Sequence, residues 1–128
     1  GNRVLLCKRN IEPRKGKWTL PAGFMELGES TAEGAARETT EEAGAQFKMG
    51  PLITVMSVPR VGQVHLYYLA ELQSEEFNPG FETQETRMFL ESEIPWEELA
   101  FRTVQETLKH YFEDRSAGQF QVHAFNID

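Results

Sequence analysis

The sequence predicts an α/β domain with a mixed β-sheet between helices, an α/β/α sandwich, and three observations carry that expectation. A helix over 31–43 has recognisable start and stop signals. A second, over 101–115, repeats Val104, Leu108, Tyr111 and Phe112 at helical spacing. Before and between them, segments rich in β-branched and aliphatic residues read as strands, and strands alternating with helices pack as layers.

In order along the chain, Arg3 to Arg9 (RVLLCKR) is a strand, and Asn10 to Lys17 is a turn-rich connection with Pro13 and Gly16. Trp18 to Gly23 is a short strand ending at a turn, with Trp18 as core or as a lid over a site. Gly23 and Gly28 give the next loop freedom that a side chain would forbid. Ser30 or Thr31 then caps the first helix, Glu33 places negative charge in its first turn, and Gly44 ends it. Gln46 to Pro59 is β-rich, 60–63 is a turn, and Val64 to Leu72 returns as a strand, with His65 on its surface rather than acting as a ligand. Ser74 to Gln84 reads as a long loop, Thr86 to Leu90 as a strand, Glu91 to Leu99 as a turn, and Gln119 to Ile127 as an extended tail.

Composition bounds the function. At 128 residues and 14.6 kDa the chain is one domain by length, with room for a sizeable core. Its net charge of −7 argues against nucleic acid or an anionic membrane as partner, because there is no basic surplus to displace counterions. Cys7, the only cysteine, excludes an intrachain disulfide and reads as an inert thiol turned into the core. No stretch resembles a signal peptide and no apolar run approaches a membrane span, so a reducing, cytoplasmic setting is expected. The abrupt opening, Gly1-Asn2 and then a strand, suggests a piece of a longer chain.

The chemistry concentrates between Gly23 and Ala45. Arg37, Glu38, Glu41 and Glu42 share an arc of roughly 140° on the first helix. Ala32, Ala36, Thr39 and Ala43 form a small apolar strip opposite. Like charges one turn apart repel, and one arginine cannot neutralise three glutamates. A hard divalent cation can, since magnesium takes oxygen ligands and is commonly held by one or two carboxylates beside substrate phosphates. A solvated acidic helix face is the plain alternative.

The preceding loop favours the cation. Gly23, five residues, Glu29, seven residues, Arg37-Glu38-Thr39, one residue, Glu41-Glu42, one residue and Gly44-Ala45 resembles the signature of the Nudix hydrolases. Only Thr39 departs from it, where a larger aliphatic is usual; that touches packing rather than chemistry. The resemblance extends from about residue 3 to about residue 110, taking in Glu82-Thr83-Gln84-Glu85-Thr86-Arg87-Met88-Phe89 and Glu93-Ile94-Pro95.

That resemblance implies the Nudix-type sandwich as the fold and assigns roles within the site. Glu41 and Glu42 would be the principal ligands of Mg2+, with Mn2+ as a substitute, and Glu38 a further ligand or a proton acceptor. The carbonyl of Ala22, before the motif glycine, would be another ligand. Glu29 would hold Arg37 and so orient the helix, with Gly23 and Gly44 as structural supports. The base would be Glu38 or, from the later segment, Glu85 or Glu82, with Glu85 preferred of those two. Arg9, Arg14 or Lys15 would reach a substrate phosphate, unless that cluster is simply a solvated loop.

The combination of WTLPAGFMELGES, NPGFETQETRMF and EIPWEELAF resembles the branch that splits ADP-ribose, FAD and related compounds to AMP and a phosphorylated product. In that branch the domain can follow a zinc ribbon, for which this chain has no cysteine pair. A house-cleaning enzyme for oxidised nucleoside triphosphates stays open as an alternative. So does a non-catalytic nucleotide-binding module, although such modules commonly lose the carboxylates retained here. The resemblance also allows a homodimer.

Overall fold

In the computed structural model, which describes residues 2–128, the first strand divides the interior into two cores. The expectation drawn from the chain's opening partly involves Gly1, which lies outside the described residues. β1 (Arg3–Arg9) sends successive side chains to opposite faces. On one face Leu6 packs with Phe89, Ile94 and Leu99, and with Val104, Leu108 and Phe112 of α2 (Arg102–Ala117). On the other, Cys7 packs with Ala43 and Ala45 at the end of α1 (Thr31–Ala43), backed by Leu5, Phe47, Leu72 and Phe77. Helix, strand and helix therefore stack as three layers.

The β-structure is divided into two three-stranded sheets. β1 lies between β2 (Trp18–Thr19) and β5 (Thr83–Leu90), antiparallel to both. β3 (Phe47–Val58) lies between β4 (Gln63–Leu72), antiparallel to it, and β6 (His123–Asn126), parallel to it. β4 lies against both helices through adjacent tyrosines. Tyr68 meets the Thr31 hydroxyl of α1 at 2.5 Å, and Tyr67 lies beside Thr103 in the first turn of α2. Their consecutive positions put them on opposite faces.

Two expectations change. β5 begins at Thr83, not Thr86, because the polar run Thr83–Thr86 continues the pairing with β1, setting Cys7 opposite Thr86 and Lys8 opposite Glu85. The tail expected after Gln119 instead contains β6, which joins β3 and makes that sheet mixed. Among the described residues, no helix is long and apolar enough to cross a membrane.

Candidate active site

α1 begins with a reciprocal cap. The Glu33 N–H donates to Ser30 Oγ at 3.1 Å, and the Ser30 N–H donates to Glu33 Oε1 at 2.8 Å. This fixes where the loop from Ala22 to Glu29 joins the helix, and that loop folds back over the helix face carrying the acids. A Cβ at Gly34 would lie 3.3 Å from Glu29 Oε1, and one at Gly23 would lie 2.2 Å from Glu38 Cδ. Only glycine at 23 allows the backbone so near that carboxylate. The acidic arc is thus covered at its N-terminal end and is not a freely solvated face.

Arg37 is the hub. Its Nε and Nη2 grip the two oxygens of Glu29 at 2.7 and 3.1 Å. Its Nη1 donates to Glu38 at 2.7 Å and to Glu41 at 3.3 Å, and its Nη2 donates to the Phe24 carbonyl at 3.0 Å. A planar guanidinium suits this fork, which a lysine could not reproduce. The bond from Arg37, then the Glu26 N–H, hold the Glu29 carboxyl below its ordinary pKa of 4.5. Glu29 is thereby joined to Arg37 through both of its carboxylate oxygens.

Glu42 has the opposite environment. Among the described residues no arginine or lysine bonds it; its carboxylate accepts the Ala22 N–H at 3.0 Å. Burial chiefly, then the adjacent Glu38, push its pKa from 4.5 up to about 8, against the opposing bond from Ala22. The α1 turn therefore brings together a half-buried carboxylate short of positive charge, a second carboxylate beside it, and the backbone of Ala22 and Gly23.

That donor set fits a hard cation: two carboxylates plus a nearby main-chain carbonyl, with the remaining positions free for water and phosphate oxygens. Three acids are not gathered for it. Among the described residues, no group of three or more His, Cys, Asp or Glu side chains is close enough to hold a metal ion. Glu41, expected beside Glu42, has a side chain 59% exposed and turns toward Arg37.

The other expected residues divide. Arg9 lies near enough for its charge to act on Glu42, while its Nε donates to the Pro13 carbonyl at 2.8 Å and its guanidinium covers Phe101 at 5.1 Å. Arg14 and Lys15 are exposed on the turn, and no hydrogen bond or ion pair joins their side chains to α1 among the described residues. Glu82 precedes β5, its carbonyl accepting the Asn10 N–H at 2.9 Å. Glu85 lies opposite Lys8, on the strand face away from Cys7 and Thr86, and makes no hydrogen bond or ion pair to α1 among the described residues. The early start of β5 turns it there. Gly44 takes the left-handed conformation at φ 60°, closing α1, and a Cβ on it would lie 2.0 Å from the Asn78 carbonyl oxygen. Cys7 is buried beside Thr86, and burial pushes its thiol up to about 12.

Sequence reasoning missed Asn10, whose side chain donates to the Phe81 carbonyl at 2.8 Å. It also missed Tyr67, whose hydroxyl lies beside Thr103 and within reach of the Glu42 charge. The paired tyrosines were visible, but only the placement of β4 between the two helices tells them apart.

Fold and site define an α/β/α domain whose first helix carries a loop-covered, acidic turn. The chain belongs to the NUDIX domain family, which residues 1–119 match. It is 34% identical over 104 residues to an ADP-ribose pyrophosphatase of Methanocaldococcus jannaschii, covering 78% of this chain and 60% of that protein. It is 33% identical over 72 residues to the NAD-capped RNA hydrolase NudC of Salmonella heidelberg, covering 56% of this chain and 28% of that protein. A crystal structure of a NUDIX hydrolase from Nitrosomonas europaea superimposes with a TM-score of 0.96 at 50% identity, covering 99% of this chain and 72% of that one. The chain thus spans less than two thirds of the length of these two curated relatives.

Proposed function

We propose that this chain hydrolyses the diphosphate bridge of a nucleoside diphosphate joined to another group, with Mg2+ as cofactor and Mn2+ able to replace it. ADP-ribose is the preferred substrate, giving AMP and ribose 5-phosphate; FAD, giving AMP and FMN, is the other member of the class. The observation that carries this reading is Glu42, half-buried, unpaired by any arginine or lysine among the described residues, and set against Glu38 beneath the Ala22–Gly23 backbone. Such a carboxylate is costly unless a proton or a cation joins it. The ADP-ribose pyrophosphatase of M. jannaschii supports the choice of substrate.

In this reading Glu42, Glu38 and the Ala22 carbonyl would hold the cation, with Glu41 as a further ligand. The cation, when bound, supplies charge neutralisation at the phosphoryl oxygens and makes a nearby water more acidic. Glu38 accepts the water's proton, or Glu82 does so from the loop before β5. Arg37, held by Glu29, keeps the helix turn in register with the loop, a positioning role whose value lies in preorganisation. Arg9 supplies positive charge toward the phosphates.

The test is magnesium-dependent product release from a panel of ADP-ribose, FAD, NADH and 8-oxo-dGTP. AMP from ADP-ribose or FAD is the expected outcome. Pyrophosphate from 8-oxo-dGTP alone would transfer the chain to the house-cleaning class. Saturable nucleotide binding with no turnover would make it a binding module.

A further inference from the structure

The connection from β4 to β5 meets the last turn of α1 and is then caught by a residue at the end of β1. Phe77 packs against the core of Cys7, Ala43 and Ala45. From Asn78 to Glu82 no side chain is buried, so polar bonds must hold the segment. The Asn78 N–H donates to the Gly44 carbonyl at 3.3 Å, and a Cβ at Gly80 would lie 2.5 Å from the Glu41 carbonyl oxygen. The segment thus runs directly against the turn that carries Glu41 and Glu42. Asn10 secures its far end twice. The Asn10 N–H donates to the Glu82 carbonyl at 2.9 Å, and the Asn10 side-chain amide donates to the Phe81 carbonyl at 2.8 Å.

Backbone pairing alone could not do this, because consecutive carbonyls of an extended chain point to opposite edges and one main-chain N–H reaches only one of them. The asparagine side chain takes the other. The ladder is also irregular here: Lys8 pairs with Glu85 but Arg9 with Thr83, leaving Gln84 as an extra residue on β5. Bulges of this kind re-aim the chain beside them and are common next to active sites. The amide bond to Phe81 is exposed, so water can replace it at small cost to the fold, and what its removal changes is position.

We propose that Asn10 is a positioning residue for the hydrolysis: by gripping the Phe81 and Glu82 carbonyls it fixes Glu82 relative to the acid-bearing turn of α1, without itself touching substrate. This rests on the hydrolase reading above, with Glu82 as the acceptor of the water's proton.

A double-mutant cycle on magnesium-dependent ADP-ribose hydrolysis tests it. Asn10→Ala is expected to lower kcat about tenfold with KM within about twofold. Asn10→Asp, which keeps the shape but not the donor, should lose at least as much. Glu82→Gln should lose more than Asn10→Ala, and adding Asn10→Ala to it should cost less than about twofold further, because the carboxylate being placed is gone. Losses that multiply, a full kcat in Asn10→Ala or Asn10→Asp, or a full kcat in Glu82→Gln would each overturn the proposal. Amide hydrogen exchange gives a readout apart from catalysis: the Asn78 and Thr83 amides, which bond Gly44 and Gly80, should exchange about tenfold faster in Asn10→Ala while those of α2 do not change. Unchanged exchange at both amides would overturn the proposal even in a protein that hydrolyses ADP-ribose, and would leave the hydrolase reading standing. Faster exchange in a protein that turns over no diphosphate would refute the hydrolase reading and with it the catalytic role of Asn10, leaving only the grip on the segment.

Discussion

The two helices are built on opposite principles. α2 is an ordinary amphipathic helix: Val104, Leu108 and Phe112 recur every four residues and are buried, and no side chain caps its N-terminus. α1 buries only Gly34 and Ala43 and is held at its ends and along its acidic side by polar bonds. Its capping box, its left-handed Gly44 and the Arg37 fork replace the apolar contacts that secure α2. Burial of carbon is nondirectional and tolerates small errors, whereas hydrogen-bonded carboxylates hold a geometry and are costly when unpaired. One helix stabilises the domain, while the other spends stability on placing charge.

Breaking each helix at its own kind of contact should separate the two roles. The largest expected effect is Glu42→Gln, which should lower kcat about a hundredfold or more while leaving the melting temperature unchanged or raised, since an unpaired, partly desolvated carboxyl is replaced by a neutral amide of the same shape. Kinetics beside a thermal melt checks this, and undiminished turnover would remove Glu42 from the cation site. Leu108→Ala in α2 should do the reverse. It should cost about 2–5 kcal/mol in denaturant unfolding while kcat per folded molecule stays near wild type. Glu29→Gln should fall between, with kcat down about tenfold, because it acts through Arg37. A loss as deep as that of Glu42→Gln would instead show Glu29 taking part directly.

The smallest effect is in acid. The Ser30 N–H and hydroxyl hold Glu33 of α1 below 4.5. Burial pushes Asp114 of α2 upward, but His123 at 2.8 Å and the Gln121 N–H outweigh it and hold it below 3.8. A carboxyl with a lowered folded-state pKa contributes stability above its unfolded pKa and loses it as pH falls through the folded one. Both contributions should therefore be full at neutral pH and fade below about pH 4.5. Asp114→Asn should flatten the acid limb of a stability–pH curve more than Glu33→Gln, because Asp114 is buried and ties α2 to β6 while Glu33 is solvated. Equal flattening would place the two helices on the same footing in acid.

Legibility in the sequence followed the range of the interaction. The bounds of α1, its cap and its stop were readable because all three rest on bonds spanning four residues or fewer. Glu29 and Arg37 were readable as partners through a longer motif, and the structure joins them. The strand position of Glu85 was not readable, because the polar stretch Thr83–Thr86 looks like loop until its pairing with β1 is known. Gly23 and Gly80 stand 57 positions apart, yet both touch the same helical turn.

The sequence by itself determined the layered α/β architecture, the acidic motif and the helix ends, since periodicity, caps and local charge spacing act within one element. Only the tertiary structure decided which acid is desolvated, which is gripped by Arg37 and which strand face Glu85 occupies. Those depend on the dielectric surroundings and partners each carboxylate meets once separate elements are packed together, and no local pattern encodes them.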